Sequence, residues 1–447
     1  MKKIIFLSLL FTSKLLICFT QTTTYYPSIS VPVVHNTVHQ ISYETLQNFW
    51  PYLIEHQYIH LYRQGQEIAL EIHSKNDSYF VSGDYLLFFG KPNDGTTDSS
   101  LYASAQAQAN PSYSLFSDTA TYVLTYEPLQ KSLLRIRTET QNLGENYRLC
   151  LMTNKKQVQV FSDNYFAGLV LTPFDNEQVW DSNYQKAEGW MSNSFTENSP
   201  ARFTFNPSVS IGDTLRFSIR LVSQKRTKQV LNIVQGSQVI SIIELQPAEC
   251  KDISGMLLLS KGNVLGIKGA ESLFAVASFN YDYACPFGPK EGQYFWKLPL
   301  PKKIPMNSQT LKVWNISDEF FPKNIPQFRD TLFTTGTQMV FWEKPVEITK
   351  VSFIRDWQPD TTANFLIVTH ENLWKSAQQY ATYRSSQVGG AYRCEVVTSR
   401  MLYDYFNHGD KSTLAFQRYF SISKNQKNPI SILLIGTGAY PQIARKS

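Results

Sequence analysis

From about Thr22 to Pro359 apolar and polar residues alternate with a period of two, the pattern of strands with one buried and one wet face. Asp213–Ser223 puts Leu215, Phe217, Ile219 and Leu221 on one side, with Arg216, Ser218 and Arg220 opposite. Phe203 and Phe205, then Phe279, Tyr281 and Tyr283, repeat the alternation, while Asn93-Asp94-Gly95 and Ile211-Gly212-Asp213 supply turn chemistry. Many short strands at this spacing predict β-sandwich architecture, and a break near Ser162-Asp163-Asn164 divides it into residues 21–162 and 163–359. After Pro359 the period changes. Phe365–Thr369 is a continuous apolar run suited to a strand buried on both faces. A helix follows, with Leu373, Trp374, Ala377, Tyr380 and Ala381 on one face, stopped at Gly389-Gly390. A strand over Cys394–Val397, helical stretches Ser399–Phe406 and Lys411–Phe420, and a strand Ser431–Ile435 complete the series. Strands alternating with helices predict a parallel sheet with right-handed crossovers. The fold class expected is therefore mainly β, followed over residues 360–447 by the start of an α/β parallel-sheet domain.

Composition fits this picture and adds exclusions. The chain has 447 residues, 43% hydrophobic and 14% aromatic, with 17% charged against ~25% in ordinary soluble domains. A disordered, coiled-coil or collagenous protein is excluded, and the length accommodates two to four domains at ~100–200 residues each. A net charge of +6 over so long a chain is too dilute to predict nucleic-acid binding. Residues 1–20 read as a secretory signal peptide: Lys2 and Lys3 precede an apolar run interrupted by Lys14, shorter than the ~20 residues a membrane span needs. Ile17 before Cys18 is not the small residue that lipoprotein processing requires. The mature chain should cross no membrane and reside in the periplasm, at the outer membrane or on the cell surface. Cys150, Cys250, Cys285 and Cys394 form neither a dense disulfide framework nor a metal-ligand spacing, and no cofactor motif is visible.

The α/β segment resembles the opening of the gingipain-type cysteine peptidase domain. The resemblance is carried by Phe365–Thr369, Val396–Phe406, Gly409–Arg418 and Leu433–Tyr440, which parallel that family's Ile-Ile-Val-Thr strand, Val-Val strand with its Tyr-Asp-Phe-like helix, "G-x-x-D-x-x-A-I-R" helix and Leu-Leu strand. Upstream, Tyr85–Gly90, Ser112–Asp118, Tyr122–Thr125, Ala187–Trp190, Phe279–Tyr281 and Val313–Asp318 are similar to the sortase branch of the family, from the Bacteroidetes type IX secretion system. The resemblance implies a caspase-like fold with a Cys/His dyad. In the sortase this dyad cleaves C-terminal secretion signals and joins cargo to a surface lipopolysaccharide. It implies as partners protein substrates carrying such signals, and an outer-membrane protein. The family's His and Cys follow its Gly-Asp-Gly-Ser-Tyr-Asp strand end; here Thr437, Ala439 and Pro441 replace Asp, Ser and Asp, and the sequence ends at Ser447. The expectation is thus a stretch that stops before the catalytic pair, with no catalytic, cofactor or metal residue of its own, inactive alone. The alternative is a non-catalytic surface β-sandwich protein that binds cargo or an outer-membrane partner.

Residues within the chain offer only weak rivals. His370 follows one strand and Cys394 opens the next, which places them at opposite edges of a parallel sheet, whereas nucleophiles sit at carboxyl ends. His408 reads as a solvated loop residue, and Glu188-Gly189-Trp190 as a tight turn over an aromatic core residue. Asn93–Asp98 reads as a turn, lacking the terminal carboxylate of a calcium loop, and Lys225-Arg226-Lys228 as a hairpin tip.

Overall fold

The computed structural model describes residues 26–140, 148–149, 152–169, 183–207, 210, 212–286, 294–297, 302–306, 310–328, 331–334, 338–423 and 431–436. The expected signal peptide, Cys18, Cys150 and the segment from Thr437 onward lie outside these residues. The chain is mainly β, followed by a small parallel α/β unit, as the periodicity predicts.

The first β unit packs two sheets. In one, Ile29–Val33 lies between Ala120–Tyr126 and Ser352–Phe353; in the other, Thr37–Ser42 pairs with Tyr85–Gly90 and Val346–Glu347. Their inward residues Ile29, Val31, Ile41, Phe88 and Leu124 form one core, joined by Trp50 from the segment that follows Thr37–Ser42. Two of these strands come from far downstream, so the chain returns to its first sandwich just before entering the α/β unit.

The second unit is larger. Thr214–Ser223 lies one strand in from the edge of the larger sheet, between the edge strand Cys250–Leu258 and the long strand Leu273–Pro286, which also pairs with Met152–Val160. A sheet of Ala201–Thr204, Val264–Lys268, Gln229–Gln235 and Gln238–Leu245 faces it across Phe203, Phe217, Ile219, Leu231, Ile233 and Phe279. Trp314 and Trp342, edge to face at 5.5 Å, join Val38, Leu87 and Phe89 in a cluster that binds the two units together. One alternation reading fails here. Arg220 was expected on the wet face but is buried, because loop 106–109 crosses that face and its carbonyls accept the guanidinium: Nε to Ala109 at 2.9 Å and Nη2 to Gln108 at 2.7 Å. Asp252 accepts from Nη1 at 2.5 Å.

In the α/β unit we label the elements β1 (Phe365–Thr369), α1 (Trp374–Ser385), β2 (Cys394–Thr398), α2 (Ser399–Phe406), α3 (Leu414–Ser423) and β3 (Ser431–Ile435). The sheet is parallel with β1 in the centre, registered Phe365 to Cys394 and Ser431, and Thr369 to Thr398 and Ile435. Both faces of β1 are covered, which explains its unbroken apolar run. Phe365 and Ile367 pack toward α1, while Leu366 and Val368 pack toward Leu402 and Phe406 of α2 and Ala415 and Tyr419 of α3. The buried face of α1 is narrower than its spacing suggests: Ala377 and Ala381 are buried, but Leu373 and Tyr380 are exposed. Small alanines let the helix lie close to the sheet, and the larger side chains are pushed to its margins. Glu395 closes the unit, its carboxylate accepting from Trp357 Nε1 (3.1 Å), Asp360 N (3.0 Å) and Tyr419 Oη (3.0 Å).

Candidate functional site

Open parallel sheets present ligands at the carboxyl ends of their strands. Here that edge is built by short local devices. Thr369 Oγ1 donates to the Ile435 carbonyl at 3.3 Å and ties β1 to β3. His370 Nδ1 accepts from Asn372 N at 3.2 Å, and Thr398 Oγ1 accepts from Met401 N at 3.1 Å, so the residue just after β1 and the last residue of β2 each cap the turn that follows. The first turn of α2 then projects Arg400 beyond the edge.

Above this edge lies the first β sandwich. A cleft of about 820 Å³ separates them, walled by Ser30, Pro32, Thr119, Thr121 and Lys350–Ser352 on the sandwich side. On the α/β side it is walled by His370, Glu371, Thr398–Arg400, Tyr403, Gly409 and Lys411. Two contacts fix its width. Arg400 Nη2 donates to Ser352 Oγ at 2.7 Å. The buried carboxylate of Asp410 accepts from Arg63 Nη1 (2.7 Å), Gln64 Nε2 (2.5 Å) and the backbone N–H of Thr121 (2.7 Å). Gly409 beside it has a φ of +86°, and an added Cβ would stand 2.4 Å from Thr121 Cγ2, so only glycine allows this approach.

The electrostatics of the cleft are asymmetric. Lys350, Arg400 and Lys411 converge on it, and Glu371 is the one acidic residue among the described lining. Burial lowers the pKa of Lys411. Asp404 sits behind Arg400, 3.5 Å from Nε, and burial pushes its carboxyl up to about 6 although Arg400 opposes the rise. Burial also lowers the pKa of His408. That residue is half-buried against Gly65, not the solvated loop residue expected, because the Asp410 contact pulls its loop onto the sandwich.

The remaining sequence candidates are structural. β1 and β2 are in register, so Cys394 lies about five residues from His370 along the sheet, roughly 16 Å at ~3.3 Å per residue. They form no pair. Cys250, Cys285 and Cys394 are free thiols; burial pushes Cys250 up to about 11 and raises Cys285. A thiol held protonated is a poor nucleophile. Glu188 makes a turn over Trp190: its carboxylate accepts from Tyr165 Oη and from Gln185 N at 2.8 Å, and its carbonyl accepts from Tyr102 Oη at 2.8 Å. In the Asn93–Asp98 turn, Asp94 accepts from Thr96 N at 3.0 Å and buried Asp98 accepts from Leu115 N at 2.7 Å. Lys225-Arg226-Lys228 lies in the turn between two strands, with Lys228 paired to Glu244 at 2.9 Å. Among the described residues no His, Cys, Asp and Glu group could hold a metal ion, and no helix is long and apolar enough to cross a membrane. Sequence reasoning missed Asp410, Arg63, Lys350 and Arg400 as a set, since they come from separate elements: Arg63 and Asp410 are 347 positions apart, and Arg400 and Ser352 are 48 apart.

Residues 358–443 match the model of peptidase family C25, a span that coincides with the α/β unit. The chain resembles the gingipain-type peptidases. Its fold is similar to that of dimeric latent PorU from Porphyromonas gingivalis: TM-score 0.59, 11% identity, covering 94% of this chain and 42% of that one. The gingipain-like chain described here therefore spans less than half the length of the PorU chain it matches. A CBM36-1 domain of a xylanase from the hindgut metagenome of Trinervitermes trinervoides (10% identity, 30% of this chain, 99% of that one) reaches a TM-score of only 0.18. No protein of curated function matches the sequence.

Proposed function

We propose that this chain serves a gingipain-like, PorU-like protein of type IX secretion, in which the two β units and the opening strands of the peptidase fold build the cleft that receives a polypeptide substrate. The substrates on this reading are exported proteins with C-terminal secretion signals, and the location is the periplasm, outer membrane or cell surface. The observation that carries it is the placement of the cleft: the first sandwich is clamped through Asp410 over the carboxyl edge of β1 and β2, where this fold class holds its ligands.

We further propose that these 447 residues bind without cleaving. Acyl transfer needs a thiolate beside an imidazole. Cys394 and His370 occupy opposite edges of the sheet, and burial keeps Cys250 and Cys285 protonated. Thr437 in place of the family's Asp also favours a second reading, a non-catalytic surface protein that binds cargo or an outer-membrane partner. The test is to incubate the purified polypeptide with a peptide bearing a C-terminal secretion signal, with and without iodoacetamide. The expected outcome is no cleavage product; turnover that iodoacetamide abolishes would overturn the binding-only proposal.

A further inference from the structure

The geometry points to selection of carboxylates by the cleft: it takes a segment of polypeptide bearing acidic groups, read by Lys350, Arg400 and Lys411. This rests on the reading of the cleft as a substrate site and specifies the chemistry recognised there. Three cations approach from three separate elements: the sandwich-side strap that carries Lys350, the first turn of α2, and the loop before α3. Among the described residues the acidic groups nearby leave that bias in place. Asp410 faces away into its own site, spent on Arg63, Gln64 and Thr121 N. Asp404 is buried behind Arg400 and lowers the charge that Arg400 presents only where it is ionised. Glu371 stands at the rim, beside His370. A carboxylate entering the cleft would meet these three cations from different sides.

Size and lining favour a polypeptide over a small anion. At about 820 Å³ the cleft falls in the range of ~300–1,000 Å³ typical of ligand sites, and Pro32, Val351 and Tyr403 offer apolar surface for the aliphatic part of a chain. Pro32 lacks an N–H, so the sandwich edge that lines the cleft is poorly suited to extend its sheet onto the incoming chain. Recognition must then come from side chains, which makes the cations decisive.

The experiment uses fluorescein-labelled tetraglutamate with a free and with an amidated C-terminus, and amidated tetraglutamine, titrated by anisotropy at low ionic strength. The expected result is saturable binding of tetraglutamate, with tetraglutamine weaker by about tenfold or more. Binding by both acid peptides assigns recognition to side-chain carboxylates; binding by the free-terminus form alone assigns it to a chain terminus, and either supports selection of a carboxylate. Lys350→Ala and Lys411→Ala should each weaken binding about three- to fivefold, and the pair Lys350→Glu with Lys411→Glu by about fiftyfold or more. Lys228→Ala, on a distant turn, should change nothing. Equal affinity for tetraglutamine, or affinity unmoved by the cleft variants, would overturn the inference. A secretion-signal peptide that still occupied the cleft under those results would leave the substrate-site reading standing, so the two claims fail separately.

Discussion

Asp410→Ala removes the side chain that clamps the α/β unit to the first sandwich. In the native protein its carboxylate is 1% exposed and satisfies Arg63, Gln64 and the Thr121 amide together. Deleting one member of a buried pair leaves the other charge uncompensated, a loss of ~3–5 kcal/mol, and an orphaned buried N–H costs ~1–3 kcal/mol. Arg63 softens the blow, since it is 14% exposed, reaches the Thr121 carbonyl at 3.4 Å and lies 5.6 Å over the Tyr122 ring. The expected net loss is about 3 kcal/mol for Asp410→Ala. Asp410→Asn keeps an acceptor for Thr121 and should lose about 1–2 kcal/mol. Urea unfolding provides the measurement, read as a change in midpoint at constant slope, with hydrogen exchange at Thr121 and Tyr122 as the local report. A double-mutant cycle with Arg63→Met should show coupling of at least about 1 kcal/mol. A cost below about 1 kcal/mol for Asp410→Ala, or equal costs for Asn and Ala, would mean that this carboxylate does not clamp the two units together.

Further expectations concern titration, thiols and the buried arginine. Asp404 has its carboxyl raised from 3.8 to about 6, so between those values the folded chain holds a proton that the unfolded chain releases. Stability should therefore fall as pH rises from about 4 to about 6, by at most roughly 3 kcal/mol, and Asp404→Asn should flatten that decline; an unchanged slope in urea titrations would contradict the burial assigned to it. Native protein treated with iodoacetamide at neutral pH should remain unmodified at Cys250 and Cys285 and become reactive there only on unfolding, as peptide mass spectrometry would show. Arg220→Met should cost about 2–4 kcal/mol, because the carbonyls of Gln108 and Ala109 lose their donor; a neutral result in thermal unfolding would mean that loop 106–109 does not hold its place through this side chain.

The α/β unit was legible because its determinants are local. The apolar run of Phe365–Thr369 reported a strand covered on both faces, and the motif order beyond it reported the gingipain resemblance. Alternation likewise revealed that the upstream region is β. What it could not reveal was pairing: that Val346–Glu347 and Ser352–Phe353 rejoin strands near the amino end depends on closing loops of some three hundred residues, for which no short pattern exists. Arg220 shows a second limit, since period two assigns a face to a side chain but not what later crosses that face. His408 and Asp410 show a third. Their environment is made by Gly65, Arg63 and Thr121, residues that a loop reading of Asn407–Asp410 has no reason to consider. The cleft cations were invisible for the same reason: Lys350 and Arg400 are fifty positions apart and meet only because the sandwich is clamped over the sheet.

On the proposed function, substrate meets this chain at the carboxyl edge of β1 and β2. Hydrogen exchange by mass spectrometry, with and without a peptide carrying a C-terminal secretion signal, tests it most directly. New protection is expected only over residues 350–352, 370–371 and 398–403, and it should be lost when Lys350 and Lys411 are both reversed to Glu. Protection elsewhere, with these three segments unchanged, would contradict it.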